Sequence, residues 1–266
     1  MPQFGEIHVE VGDDHVALVE VQRPPNNFFS LAMLGSIADA FEWVDGTDDA
    51  RCVLLASEGK NFCAGADLAA DNPRTTSEQA SDAGGGEGRH IYDECFRLFS
   101  AKTPVVAAVK GASVGGGLGL ACMADFRVGG PGTRMTANFA RLGFHHGFGL
   151  SVTLPRIVGQ QQAMDLLYTG KRIKGDEAAR IGLLDRFVDD DEQIRSEARA
   201  WAADIAISAP LAVESIRQTL RGDLAAAVRA ATDREKAEQN RLRMTSDFRE
   251  GVKAMAERRN PDFTRS

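Results

Sequence analysis

Hydrophobic and polar positions change period several times along the chain, and each change marks an element. Ile7, Val9 and Val11 alternate with polar neighbours, Gly12-Asp13-Asp14 interrupts, and Val16–Val21 resumes an extended run. That pattern predicts a hairpin closed by a short glycine-containing turn. Arg23-Pro24-Pro25-Asn26-Asn27 ends it, because proline supplies no ladder donor and biases the residue before it towards extended backbone. Ser30 is placed to cap a helix in which Leu34, Ile37, Ala38, Phe41 and Val44 recur at helical spacing. An apolar strand over 51–56 leads into a loop over 57–67. Residues 71–89 are polar around Gly84-Gly85-Gly86, as in a mobile surface loop.

Residues 91–100 read as a helix, Pro104 opens a strand over 105–109, and 111–119 form a glycine-rich turn into another helix. A short strand follows over 126–129. The second half is mainly helical. A helix over 160–168 is stopped by Gly170, and Asp176 is placed to cap a short helix ending at Gly182. A longer helix carries Ile194, Ala198, Trp201, Ala202 and Ile205 on one face. Two further helical stretches are predicted between Pro210 and Arg259. No repeat and no linker divides the chain, so strands interleaved with helices and then a helical tail predict one α/β domain with a helical extension.

Composition narrows the function classes. With 43% hydrophobic residues the 266-residue chain has enough apolar material for a substantial core. The net charge of −7 argues against nucleic acid as the main partner. Cys52, Cys63, Cys95 and Cys122 lie far apart, with no CxxC pair and no histidine at metal-ligand spacing. Neither a disulfide framework nor a structural zinc site is expected, and a reducing compartment fits. No leader-like N-terminus and no run of about 18 apolar residues occurs, so a cytoplasmic protein without membrane contact is expected.

Two glycine-bearing loops follow predicted strands: Phe62-Cys63-Ala64-Gly65-Ala66-Asp67-Leu68 and Gly111-Ala112-Ser113-Val114-Gly115-Gly116-Gly117-Leu118-Gly119. Small residues let a backbone approach a ligand closely, and unpaired amides at a helix N-terminus suit an oxygen that gains negative charge. Glycine-rich turns also serve as plain packing devices. Nucleotide readings fail on spacing, since Leu120 stands where a dinucleotide fingerprint needs Gly or Ala, and no GxxxxGK[ST] string exists.

Those two strings resemble the enoyl-CoA hydratase/isomerase (crotonase) superfamily. So do Pro104-Val105-Val106-Ala107-Ala108-Val109-Lys110-Gly111, Leu154-Pro155-Arg156-Ile157-Val158-Gly159, Thr169-Gly170-Lys171-Arg172-Ile173 and Glu257-Arg258-Arg259-Asn260-Pro261-Asp262-Phe263. The resemblance implies a spiral of ββα units over 1–200 and a C-terminal helical trimerisation region over 201–266, in a homotrimer or dimer of trimers. It implies an acyl-CoA thioester as substrate and no separate cofactor. The Ala66 and Gly116 backbone N–H groups would form the oxyanion hole. Asn27, Phe28, Phe29, Ala64, Asp67, Leu68 and Gly115 would lie along the CoA, and Arg258 would meet its phosphates or remain a solvated helix charge.

The chain departs from the pattern at the acid/base positions. Family hydratases use two glutamates, which here fall on Gly119 and Phe139. Neither transfers a proton, and one positioned acid or base contributes about two to four powers of ten, so efficient hydration is not expected. His145 and His146 lie where relatives carry a loop over the substrate, and an imidazole can act as acid or base near neutral pH; the alternative is that they shape that loop. Tyr92 and Glu94 read as ordinary helix surface within reach of the pocket, and Cys63 as a buried inert thiol. Three functions stay open: an acyl-CoA enzyme acting through an enolate, with a histidine-assisted isomerase, hydrolase or decarboxylase as one form; a non-catalytic acyl-CoA binding or shuttling protein; and an interaction scaffold.

Overall fold

The computed structural model describes residues 2–66 and 90–266. The predicted hairpin is present as β2 (Ile7–Val11) and β3 (Val16–Val21), preceded by a two-residue strand β1 (Gln3–Phe4). Ser30 caps α1 (Leu31–Asp45), its hydroxyl accepting from the Met33 amide. β3 then pairs in parallel with β4 (Cys52–Ser57), β4 with β5 (Val105–Ala108), β5 with β7 (Phe126–Gly129), and β7 with β10 (Arg186–Phe187). The helix α2 (Ile91–Ser100) precedes β5.

A second, three-stranded sheet of β6 (Ala112–Val114), β8 (Arg134–Thr136) and β9 (Arg172–Lys174) was not expected from the sequence. Strands of three residues are too short to show a period, so the glycine-rich stretch after Lys110 concealed β6. This sheet makes the fold a spiral. β5 enters the large sheet, β6 the small one, and α3 (Gly116–Met123) follows; β7 and β8 repeat the step before α4 (Leu150–Val158).

The central strands β3, β4 and β5 are buried along their whole length, as expected for the parallel part of a sheet covered on both faces. Val19, Val53, Leu55, Val105 and Ala107 face the core shared with α1 and α2. Their alternates Leu18, Leu54, Val106 and Ala108 face α7 (Ile194–Ala206), which presents Ile194, Ala198, Ala202 and Ala206. Between α4 and α7 in the chain come α5 (Gln160–Thr169), ended by Gly170, and α6 (Gly175–Arg180). Asp176 sits inside the first turn of α6 rather than at its cap, which is Lys174.

The C-terminal region holds three helices, not two: α8 (Pro210–Arg221), α9 (Leu224–Arg243) and α10 (Ser246–Ala256). α9 is fastened to the spiral by buried Glu235, whose carboxylate accepts from the Gly149 amide at 2.9 Å, the Ser151 amide at 3.1 Å and the Ser151 hydroxyl at 2.7 Å. A side chain from another helix thus satisfies the N-terminal donors of α4. α10 lies on the turn over 139–143 so closely that a Cβ at Gly251 would come within 2.5 Å of the Leu142 carbonyl carbon.

Candidate active site

The two glycine-bearing loops meet. Cys63 forms a parallel bridge with Ser113: its amide donates to Ala112 O at 3.0 Å, and the Val114 amide donates to Cys63 O at 3.0 Å. Ala66 and Gly116 each stand three residues beyond that bridge, which carries both to one edge of a common cavity. Gly65 makes the approach possible. Its φ is +83°, and a Cβ there would lie 2.6 Å from Val114 O.

Gly116 opens α3, and the preceding Gly115 provides no side-chain cap. The first amides of α3 therefore lack intrahelical acceptors, at the positive end of the helix dipole. The Phe29 amide donates to Gly65 O and the Ala64 amide to Asn26 O, stitching the 26–29 segment to the same loop.

The cavity has a volume of about 430 Å³ and is walled largely by aromatic rings. Phe29 stands 6.2 Å from Phe148, Phe139 5.5 Å from Phe144, and Phe144 5.2 Å from Phe248, all between centroids. Of the residues singled out in the sequence, Phe28, Phe29, Ala64, Ala66, Gly115, Gly116, Phe139 and Tyr92 line it. Asn27 does not. It is fully buried, donating to Glu58 O and Asn61 O and accepting from the Arg23 amide, so its polar atoms are used to hold the loop. Arg258 is exposed just past α10 and off the cavity wall. Asp67 and Leu68, like the 71–89 stretch, lie outside the described residues.

At positions 119 and 139, where the family resemblance places the two glutamates, the structure holds apolar volume. A Cβ on Gly119 would meet Phe148 at 2.6–2.8 Å, so the ring of Phe148 occupies the space into which a longer side chain would project. Phe139 itself forms part of the wall. Among the described residues lining the cavity there is no carboxylate and no imidazole.

His145 and His146 sit immediately behind that wall, which takes Gly147 and Phe148 from the same turn. Their rings stack at 4.1 Å. His146 Nε2 lies 2.8 Å from Ser151 Oγ, whose hydroxyl donates to Glu235. Ser151 therefore accepts from His146, which carries its proton on Nε2. Burial, reinforced by the neighbouring His145, pulls His146 down to about 4, so its ring is neutral at physiological pH.

Tyr92 and Glu94 are not helix surface: both are buried. Tyr92 reaches the cavity and donates to Gln239 Oε1 at 3.0 Å, while Glu94 pairs with Arg97 at 2.6 Å away from it. Burial pushes the Tyr92 phenol well above its usual range. Cys63 is buried, and burial pushes its thiol up to about 11, which leaves it protonated and inert. Among the described residues, no group of His, Cys, Asp and Glu is arranged to hold a metal ion. No described helix is long and apolar enough to cross a membrane.

Sequence reasoning missed Phe144, Phe148, Gln239, Arg243 and Phe248. The only available signal was the i, i+4, i+8 spacing of Glu235, Gln239 and Arg243, which places them on one face of α9.

Comparison with known proteins agrees with this architecture. The enoyl-CoA hydratase/isomerase family matches residues 12–266. A 1,2-epoxyphenylacetyl-CoA isomerase of Escherichia coli is 30% identical over 265 residues, covering 99% of both chains. An enoyl-CoA hydratase of Mycobacterium tuberculosis, EchA19, is 30% identical over 250 residues, covering 94% of this chain and 93% of its own. The crystal structure of an enoyl-CoA hydratase/isomerase from Pseudoalteromonas atlantica superposes with a TM-score of 0.85 at 27% identity, covering 98% of this chain and all of that one. With the spiral, the paired loops and the helical C-terminal region in common order, the chain belongs to the enoyl-CoA hydratase/isomerase family of enzymes.

Proposed function

We propose that the protein binds an acyl-CoA thioester and stabilises its enolate through the backbone amides of Ala66 and Gly116, without the two-glutamate hydration chemistry. The observation that carries this reading is the pairing of two features in one cavity. Two glycine-dependent loops bring Ala66 and Gly116 to its lining, while Phe148 fills the space beside Gly119 and Phe139 forms part of the same wall. Two N–H donors aimed at a thioester oxygen favour the enolate over the ketone form, because the negative charge develops where they point. The acyl-CoA brings its own handle, so this chemistry calls for no separate cofactor.

Water addition additionally needs a base for the water and an acid for the α-carbon. Of the side chains beside the turn, His146 is neutral and weakly basic, and the Tyr92 phenol is held protonated. These facts favour proton exchange, isomerisation, hydrolysis or decarboxylation of a reactive acyl group over hydration of a simple enoyl-CoA. The absence of a carboxylate from the described wall supports a second reading, an acyl-CoA carrier that does no chemistry.

Incubation with saturated acyl-CoA esters in heavy water separates the two. The enzyme reading expects deuterium at the α-carbon and its loss in Gly116→Pro, since removal of one such donor costs about 3 kcal/mol of transition-state stabilisation. Binding without exchange by any ester establishes the carrier. Crotonyl-CoA hydration at the rate of two-glutamate relatives overturns the assignment of positions 119 and 139.

The C-terminal helices support self-association as a homotrimer or dimer of trimers. Ile207, Leu211 and Leu220 are 80%, 79% and 81% exposed, with Ile216 beside them, on and just before α8. Large apolar side chains gathered on one short segment mark an interaction surface, and a second copy of the chain is the partner that the family's assembly suggests.

A further inference from the structure

Arg243 is the one fixed charge on the cavity wall among the described residues. Its Nε is buried without a hydrogen-bond partner, and no described carboxylate pairs with it. The buried and half-buried arginines of α8, Arg217 and Arg221, share Asp125, and Arg229 of α9 holds Asp93. A guanidinium in an aromatic enclosure, its Nε left without an acceptor, is costly unless an anion completes it.

Neighbouring groups indicate which anion. Gln239, one helical turn earlier, is buried and donates to His145 O at 3.0 Å while accepting from Tyr92. The Arg243 guanidinium lies 5.8 Å from the Phe144 ring, which packs on Phe139, itself the near neighbour of Gly115. The charge therefore sits on a wall of rings and one amide, joined to the Gly115 loop through two successive aromatic contacts. A planar carboxylate on an acyl chain matches the guanidinium fork. A phosphate of CoA is the rival anion, but it is a bulky, strongly hydrated group ill suited to a ring-lined wall.

Building on the acyl-CoA reading above, we propose that Arg243 is a specificity-determining residue and that the preferred acyl group ends in a carboxylate. Isothermal titration with glutaryl-CoA and pentanoyl-CoA tests this, because the two differ only in a terminal carboxylate against a methyl group. Glutaryl-CoA is expected to bind at least about tenfold more tightly, the advantage of a charge-assisted pair. Arg243→Met is expected to bring glutaryl-CoA affinity down to that of pentanoyl-CoA, with its circular dichroism showing that the variant folds; Arg243→Lys retains part of the preference. Equal affinities in the wild-type protein overturn the proposal, as does a preference that survives in Arg243→Met. Equal weakening of both esters by Arg243→Met assigns the guanidinium to CoA phosphate instead. Binding of neither ester removes the acyl-CoA reading itself, so the two failures are distinct.

Discussion

At the residue scale, the decisive substitution is a mutual one between Gly119 and Phe148. Phe148 adopts a left-handed φ of +61°, an arrangement that a bulky residue holds only under constraint from its surroundings. The missing Cβ at Gly119 gives its ring a place to lie. Gly119→Ala puts a methyl group against that ring at less than contact distance and is expected to destabilise the protein by about 1–3 kcal/mol. Adding Phe148→Ala opens the space, so the double variant loses less than the sum of the single ones in urea unfolding, with a coupling of about 0.5–3 kcal/mol. Additive losses would show that the two positions are independent. That positions 119 and 139 carry no carboxylate was legible in the sequence. The ring that fills the space beside Gly119 was not, because Phe148 reaches it across 29 positions of chain.

At the element scale, the sequence disclosed what is periodic and hid what is short. Long amphipathic segments such as α1 and α7, and the alternating hairpin, carried their own signal. The small sheet and the α4 segment, with Pro155 inside the helix, did not. The cap of α4 is equally invisible locally, since it comes from Glu235 on α9, 84 residues beyond Ser151. Burial raises Glu235 above the usual glutamate range. The native state then keeps this proton to higher pH than the unfolded chain does. Its contribution to stability is full below the unfolded value of about 4.5 and declines as pH rises through the folded one. The stability margin of wild type over Glu235→Gln should accordingly narrow as the pH is raised above about 4.5, as read from urea midpoints at each pH. A margin that widens over that range would contradict the assignment.

For the molecule as a whole, the family was readable from collinear motifs, whereas the cavity was not, because part of its wall comes from C-terminal helices that carry none of the loop motifs. Phe248, Val252, Met255 and Ala256 of α10 and Gln239 and Arg243 of α9 complete an enclosure begun by the two loops. The remaining helix of that region, α8, points its apolar residues outwards. Charging that surface with Leu211→Glu and Leu220→Glu is expected to convert an oligomer into monomers by light scattering, with the spiral's circular dichroism retained. An unchanged mass would assign the surface to something other than a second copy.

The seat of α10 on the 139–143 turn joins backbone to backbone: Gly251 meets Leu142, and Gly143 meets the Asp247 carbonyl. A methyl group at position 251 would therefore have to wedge the helix off the turn, so this seam tolerates no side chain without the wall shifting as a whole.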